Sequence, residues 1–153
     1  YLGFKIIQKS LKVNGYIFIG LYNRYGRFRT FVRQKLYKIF GKKLIMILDP
    51  YLRSLDKDSS QKKIESWIRD QYQHPVEKSH TFDEVLNWFD ENNIEFINSI
   101  PSINANGTSL YFDQNTNGRG TKTSRIISQI KMIFGNLGAE GGLFIMIGKK
   151  IKN

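Results

Sequence analysis

Cysteine is absent from this chain, which excludes disulfide bonds and thiolate zinc sites and fits a reducing compartment. Histidine is scarce: His74 and His80 are the only two, so any imidazole chemistry rests on those positions. No apolar run approaches the roughly 18 residues of a membrane-spanning helix, and the first residues do not follow the basic, apolar, small-residue order of a signal peptide. The expected compartment is cytoplasmic. The first residue is Tyr1, and the chain runs straight into an amphipathic pattern, so we expect part of a longer protein.

Acid is the other scarcity, and it is uneven. Residues 1–63 hold 15 Lys/Arg against 3 Asp/Glu, residues 64–100 hold 2 against 8, and residues 101–153 hold 7 against 2. A basic first third is the footprint of nucleic-acid or anionic-lipid binding, and equally that of a solvated face on a lysine-rich protein. What is plentiful is ordinary: 41% apolar and 24% charged residues, enough to bury a core in one domain or in part of a larger one.

The pattern is organised around residues 11–23. Phe4, Ile7 and Leu11 recur at helical spacing, Asn14-Gly15 marks a turn, and Tyr16 to Tyr22 is apolar or aromatic apart from Gly20. A strand without polar alternation is expected to be covered on both faces, as in a parallel sheet. Beyond it, Asn23-Arg24-Tyr25-Gly26-Arg27 forms a polar exit. Phe28, Phe31, Val32, Leu36, Ile39 and Phe40 then make a helical pattern with interleaved arginines and lysines, ended by Gly41. Leu44 to Leu48 is short and apolar, stopped by Asp49-Pro50. Asp58-Ser59-Ser60 reads as a loop and helix start, and Ile64, Trp67, Ile68 and Tyr72 form the next apolar stripe.

Thr81-Phe82-Asp83-Glu84 is a capping box, opening a helix with Phe82, Val85, Leu86 and Phe89 inward. Ile94 to Ile100 alternates as a half-buried strand and ends at Pro101. Residues 102–123, rich in Asn, Gly, Thr and Ser, are expected to be a flexible loop. A helix from Ser124 presents Ile126, Ile127, Ile130, Ile133 and Phe134 as its apolar stripe. Leu143 to Gly148 is a second apolar strand, after which the basic tail from Lys149 leaves the fold.

Together these pieces resemble the carboxyl-terminal half of a class I S-adenosylmethionine-dependent methyltransferase. Leu11-Lys12-Val13-Asn14-Gly15 is similar to the Leu-Lys-Pro-Gly-Gly turn that feeds that family's fifth strand, with Val13 and Asn14 as departures. Residues 81–96 resemble its helix leading into the sixth strand. The resemblance implies an α/β fold: the C-terminal part of a Rossmann-like sheet, strands five to seven, with the seventh, at 142–149, antiparallel and inserted between the other two. Residues 1–153 would be a partial methyltransferase domain. The 58 residues from 23 to 80 exceed an ordinary crossover and would form a largely helical insertion, capping the substrate site. More narrowly, residues 20–27 and 70–81 resemble a bacterial subgroup of these enzymes.

The implied cofactor is S-adenosyl-L-methionine, but the family's glycine-rich loop and acidic residue would lie upstream. Gly118-Arg119-Gly120 has no strand before it, and residues 138–142 precede a strand instead of following one. Cofactor-binding residues are therefore unassigned, and the chain alone is expected to be inactive. The implied partners are a small-molecule methyl acceptor and the N-terminal half of a parent protein; an uncovered sheet edge would also favour self-association.

Open α/β sheets bind ligands beyond the carboxyl ends of their strands, which singles out Tyr22, Asn23, Arg24, Tyr25 and Arg27 for substrate binding. Arg24 suits a carboxylate or phosphate and the tyrosines suit stacking, while packing and solvation remain the alternative roles. His74 and His80 are candidate general bases, with Tyr72 and Glu77 as neighbouring substrate contacts. His80 has a competing structural role just before the Thr81 cap, against Val85. His74, Glu77 and His80 do not converge as metal ligands, and no metal is expected. A different class of reading is a non-enzymatic basic module binding nucleic acid or anionic membrane through residues 24–43.

Overall fold

A computed structural model of the chain describes residues 1–55, 61–73, 78–104, 118–134 and 142–152. The protein is mixed α/β and divides into two compact units, residues 1–26 with 79–153, and residues 27–78.

The first unit is built on a three-stranded sheet in the order β1-β3-β2, comprising β1 (Tyr16–Tyr22), β2 (Ile94–Ile100) and β3 (Leu143–Lys150). The central strand β3 runs antiparallel to both neighbours, so β1 and β2 point the same way. Asn14, at φ 66°, makes the turn between α1 (Leu2–Lys9) and β1. The capping box opens α5 (Phe82–Glu91), with the Glu84 amide donating to Thr81 Oγ1 at 3.2 Å and the Thr81 amide donating to Glu84 Oε2 at 3.2 Å. Phe82, Val85, Leu86 and Phe89 are buried as their spacing requires, against Ile17, Ile94, Phe144 and Met146. Phe4 of α1 joins them, its ring 5.6 Å from Trp88 and 6.2 Å from Phe89.

Three expectations are corrected in this unit. The first concerns β1, which among the described residues is an edge strand with one covered face: Ile17 is buried against the core while Tyr16 and Phe18 are exposed, because no described element packs over their face. The second is α6 (Lys122–Phe134), which begins before Ser124 and buries Ser128, Gln129 and Met132. Its isoleucines Ile126, Ile127 and Ile130 lie exposed with Phe134. The third is the basic tail. Lys149 and Lys150 remain in β3, and the Lys150 ammonium is buried, donating to Gln8 Oε1 at 3.1 Å and the Asn92 carbonyl at 3.0 Å. Of the loop expected over 102–123, residues 105–117 lie outside the described residues; at its ends Ile103 is buried and Lys122 is already helical.

The described elements of the second unit are all helical: α2 (Phe28–Leu48), α3 (Pro50–Ser54) and α4 (Gln61–Tyr72). Gly41 interrupts α2 at φ 73°, ψ −165°, a conformation that only glycine adopts readily, and Leu44 to Leu48 continue beyond it as helix. Residues 23–26 and 79–80, expected in the insertion, belong with the sheet. The loop read at Asp58-Ser59-Ser60 lies outside the described residues. Ile45, Leu52, Ile68 and Tyr72 form a small core. No helix among the described residues is long and apolar enough to cross a membrane.

Candidate functional site

The carboxyl end of β1 is stitched to the segment that enters α5. The His80 amide donates to the Tyr22 carbonyl at 2.8 Å and the Arg24 amide to the His80 carbonyl at 3.0 Å, giving a parallel bridge between Asn23 and His80. Two residues 57 positions apart are thereby fixed side by side. On the β3 side the Asn23 amide donates to the Gly142 carbonyl at 2.6 Å. A Cβ added to Gly26 would lie 2.5 Å from Gly142 Cα, so the loop can close this tightly only without a side chain there.

Asn23 is fully buried and turned inward, where it organises the loop. Its Oδ1 accepts from the amides of Tyr25 at 2.9 Å and Gly26 at 3.1 Å, and its Nδ2 donates to Gln129 Oε1 at 2.9 Å. The same Gln129 oxygen accepts from the Phe82 amide at 3.0 Å, joining loop, α6 and the start of α5. This inverts the expected role of Asn23: it shapes the loop that would meet a ligand.

Glu84 is the residue on which the exposed part of the site converges. Its Oε1 accepts from Arg24 Nη2 at 2.8 Å, and its Oε2 lies 3.0 Å from His80 Nδ1 while also accepting the Thr81 amide. Arg24 keeps 60% of its side chain exposed, whereas His80 keeps 18% and sets its ring edge-on to Trp88 at 4.9 Å, one turn beyond Val85. Tyr22 and Tyr25 are half-buried at the loop's two ends. The arrangement offers a guanidinium for an anionic group. It also offers an imidazole steered by a carboxylate: with Nδ1–H donated to Glu84, Nε2 is left as a proton acceptor. Sequence reasoning identified Glu84 only as a cap; a capping-box glutamate one turn after a histidine is the signal that would have singled it out.

Of the remaining candidates, two are in the second unit. Arg27 and Tyr72 belong to the helical unit. Arg27 is buried and donates from Nη1 to Gln71 Oε1 at 3.2 Å. Tyr72 donates its hydroxyl to Asp49 Oδ2 at 2.5 Å, and Asp49, also buried, accepts from Trp67 Nε1 at 2.9 Å and the Tyr51 amide at 2.8 Å. Burial raises the Tyr72 phenol well above its ordinary range, and the hydrogen bond to Asp49 adds to this. Burial also opposes ionisation of Asp49, but the hydrogen bonds from Tyr72, Trp67 and the Tyr51 amide, with the charge of Arg33, hold its carboxyl below the ordinary value. These are structural commitments, which leave neither Arg27 nor the Tyr72 hydroxyl free for an acceptor. His74 and Glu77 lie outside the described residues.

The carbonyls of Arg119 and Gly120 accept from Arg125 Nη1 at 2.9 Å each, and the Gly118 carbonyl accepts from Asn104 Nδ2 at 3.1 Å, so the loop folds onto its own side chains. Among the described residues no group of three or more His, Asp or Glu gathers as metal ligands. Fold and site together define an α/β protein with a polar cluster at a strand's carboxyl end. Comparison with protein-family models, with curated proteins and with solved structures gives no match.

Proposed function

We propose that the chain is the carboxyl-terminal, substrate-side portion of an S-adenosylmethionine-dependent methyltransferase acting on a small-molecule acceptor. The observation that carries this reading is the strand order: an antiparallel β3 inserted between parallel β1 and β2 is the arrangement the resemblance implies for strands seven, five and six. The cluster at the end of β1 adds support, since open α/β sheets place ligands there.

In this reading Arg24 pairs with an anionic group of the acceptor, Tyr22 and Tyr25 flank it, and His80, steered by Glu84, accepts the proton that the acceptor loses. Orientation carries most of the rate in such a transfer. The cofactor is held by the N-terminal half of a longer parent, where the resemblance puts the glycine-rich loop and the acidic residue. That half covers the open face and edge of β1, and without it the edge is free to self-associate.

Titration of S-adenosylhomocysteine by calorimetry tests the proposal. A parent protein carrying the upstream half binds it and the 153-residue chain does not. Absence of binding to the parent removes the methyltransferase reading; tight binding to the short chain removes the claim that the cofactor site lies upstream.

A further inference from the structure

Helix α2 buries Ile45, with Leu36 packed on the same core, yet leaves a second apolar stripe uncovered. Its inward side carries Thr30, Gln34 and Tyr37: Thr30 is buried, Gln34 Nε2 donates to the Gln71 carbonyl at 2.9 Å, and the Tyr37 hydroxyl accepts from Gln73 at 2.7 Å. Its outward side carries Phe28, Phe31, Val32 and Ile39, all exposed, at helical spacing of i, i+3, i+4 and i+11. Phe40 and, past the break at Gly41, Ile47 are exposed as well. Lys35 lies within the stripe with its ammonium 4.7 Å from the Phe31 ring centre. At about 3.6 residues per turn, Arg29 and Lys38 fall on its two flanks, and both are exposed. Residues 24–48 contain eight Lys/Arg and no acidic residue.

We propose that this face of α2 lies on an anionic lipid surface, with the phenyl and aliphatic side chains in the headgroup–acyl boundary and the flanking cations among the headgroups. An apolar stripe bordered by cations is the pattern of a helix that lies in the interfacial plane. Charge decides among occupants. A second copy of this chain would bring the same exposed cations, Arg29, Lys35 and Lys38, against each other, whereas an anionic bilayer complements them. Val32, Ile39 and Ile47 are aliphatic surfaces that nucleic acid would leave unburied but the acyl boundary takes up. The six Lys/Arg of α2 also rule out burying the helix across the bilayer, so it lies on the surface. The inference goes beyond methyl transfer and needs no cofactor, so the two fail separately.

The test is cosedimentation of the chain with vesicles of phosphatidylcholine, alone or mixed with phosphatidylglycerol. Binding to the mixed vesicles is expected to be at least about tenfold tighter and to weaken with salt. Removing two cations, Lys35→Gln with Lys38→Gln, is expected to weaken it by roughly 25-fold, about fivefold for each. Phe31→Ser with Ile39→Ser is expected to weaken it at least about tenfold. All four positions are outward, and circular dichroism confirms that each variant folds. Ile127→Ser with Ile130→Ser, on the exposed face of α6, serves as the control and leaves binding unchanged. Equal binding to neutral and anionic vesicles, unchanged binding by the α2 variants, or an equal loss in the α6 control overturns the proposal. So does a chain that ignores vesicles but binds RNA, or one that forms a dimer dissolved by the α2 variants.

Discussion

In the sheet unit an apolar interior carries a polar cluster at the end of β1, around Asn23 and Glu84; in the helical unit a buried carboxylate, Asp49, has aromatic side chains bonded to it. Both units remove apolar area from water, and the second adds completed hydrogen bonds to a buried carboxylate in a small core. At the surface of that cluster Arg24, with 60% of its side chain exposed, can meet a ligand without disturbing the interior. A buried carboxylate with three donors is not free in that sense. The candidate site accordingly falls at the end of β1, and Tyr72, expected to serve a substrate, serves Asp49.

The largest expected effect sharpens the apolar side of this comparison. Phe89 is fully buried between α5 and the sheet, and Phe89→Ala is expected to cost about 3–5 kcal/mol in denaturant unfolding. Asp49→Ala would break the comparison if it were harmless. It leaves the Trp67 indole, the Tyr72 hydroxyl and the Tyr51 amide without their acceptor, and is expected to cost about 2–3 kcal/mol, with faster hydrogen exchange in α3 and α4.

The pH dependence of that network follows from the two shifts. Asp49 titrates below its ordinary 3.8, so its contribution is complete above that value and is lost as pH falls through the native pKa. Tyr72 titrates above its ordinary 10.0, so its contribution is complete below that value and declines as pH rises toward the native pKa. Acid unfolding monitored in wild type and in Asp49→Asn checks the first limb: the variant is expected to lose the steepening below pH 3.8. The smallest effect concerns the cap. Thr81→Ala removes the hydroxyl that accepts the Glu84 amide and is expected to cost about 1 kcal/mol in the same unfolding measurement. A much larger loss would mean that the Glu84 cluster supports the sheet unit as Asp49 supports the helical one.

Much of the local structure was legible in the residues. The Thr81–Glu84 box, the break at Gly41, the turn at Asn14 and all three strands follow from side-chain chemistry within a few positions. The candidate site was legible only in outline. The exit of β1 was identified, and so was His80, but Asn23 was read as facing a ligand and Glu84 as a cap alone. Their roles depend on Gln129 and His80 being brought alongside, and sequence spacing carries no record of a bond across 106 positions.

Which side of a helix faces inward was the commonest miss, and it has one cause. Periodicity marks an apolar stripe but not the surface it will meet. In α6 the stripe of isoleucines is outward while Gln129 is inward, because a buried amide is needed to satisfy Asn23 and the first amide of α5. In α2 the aromatic stripe is outward while Thr30 and Gln34 face in. By itself the sequence determined the three strands, the Thr81–Glu84 cap and the concentration of positive charge in the first third. Only the tertiary structure decided which faces are covered, that Lys150 is buried, and that Arg24, His80 and Glu84 meet. Those outcomes depend on partners distant along the chain, whose positions are set by how the whole core packs.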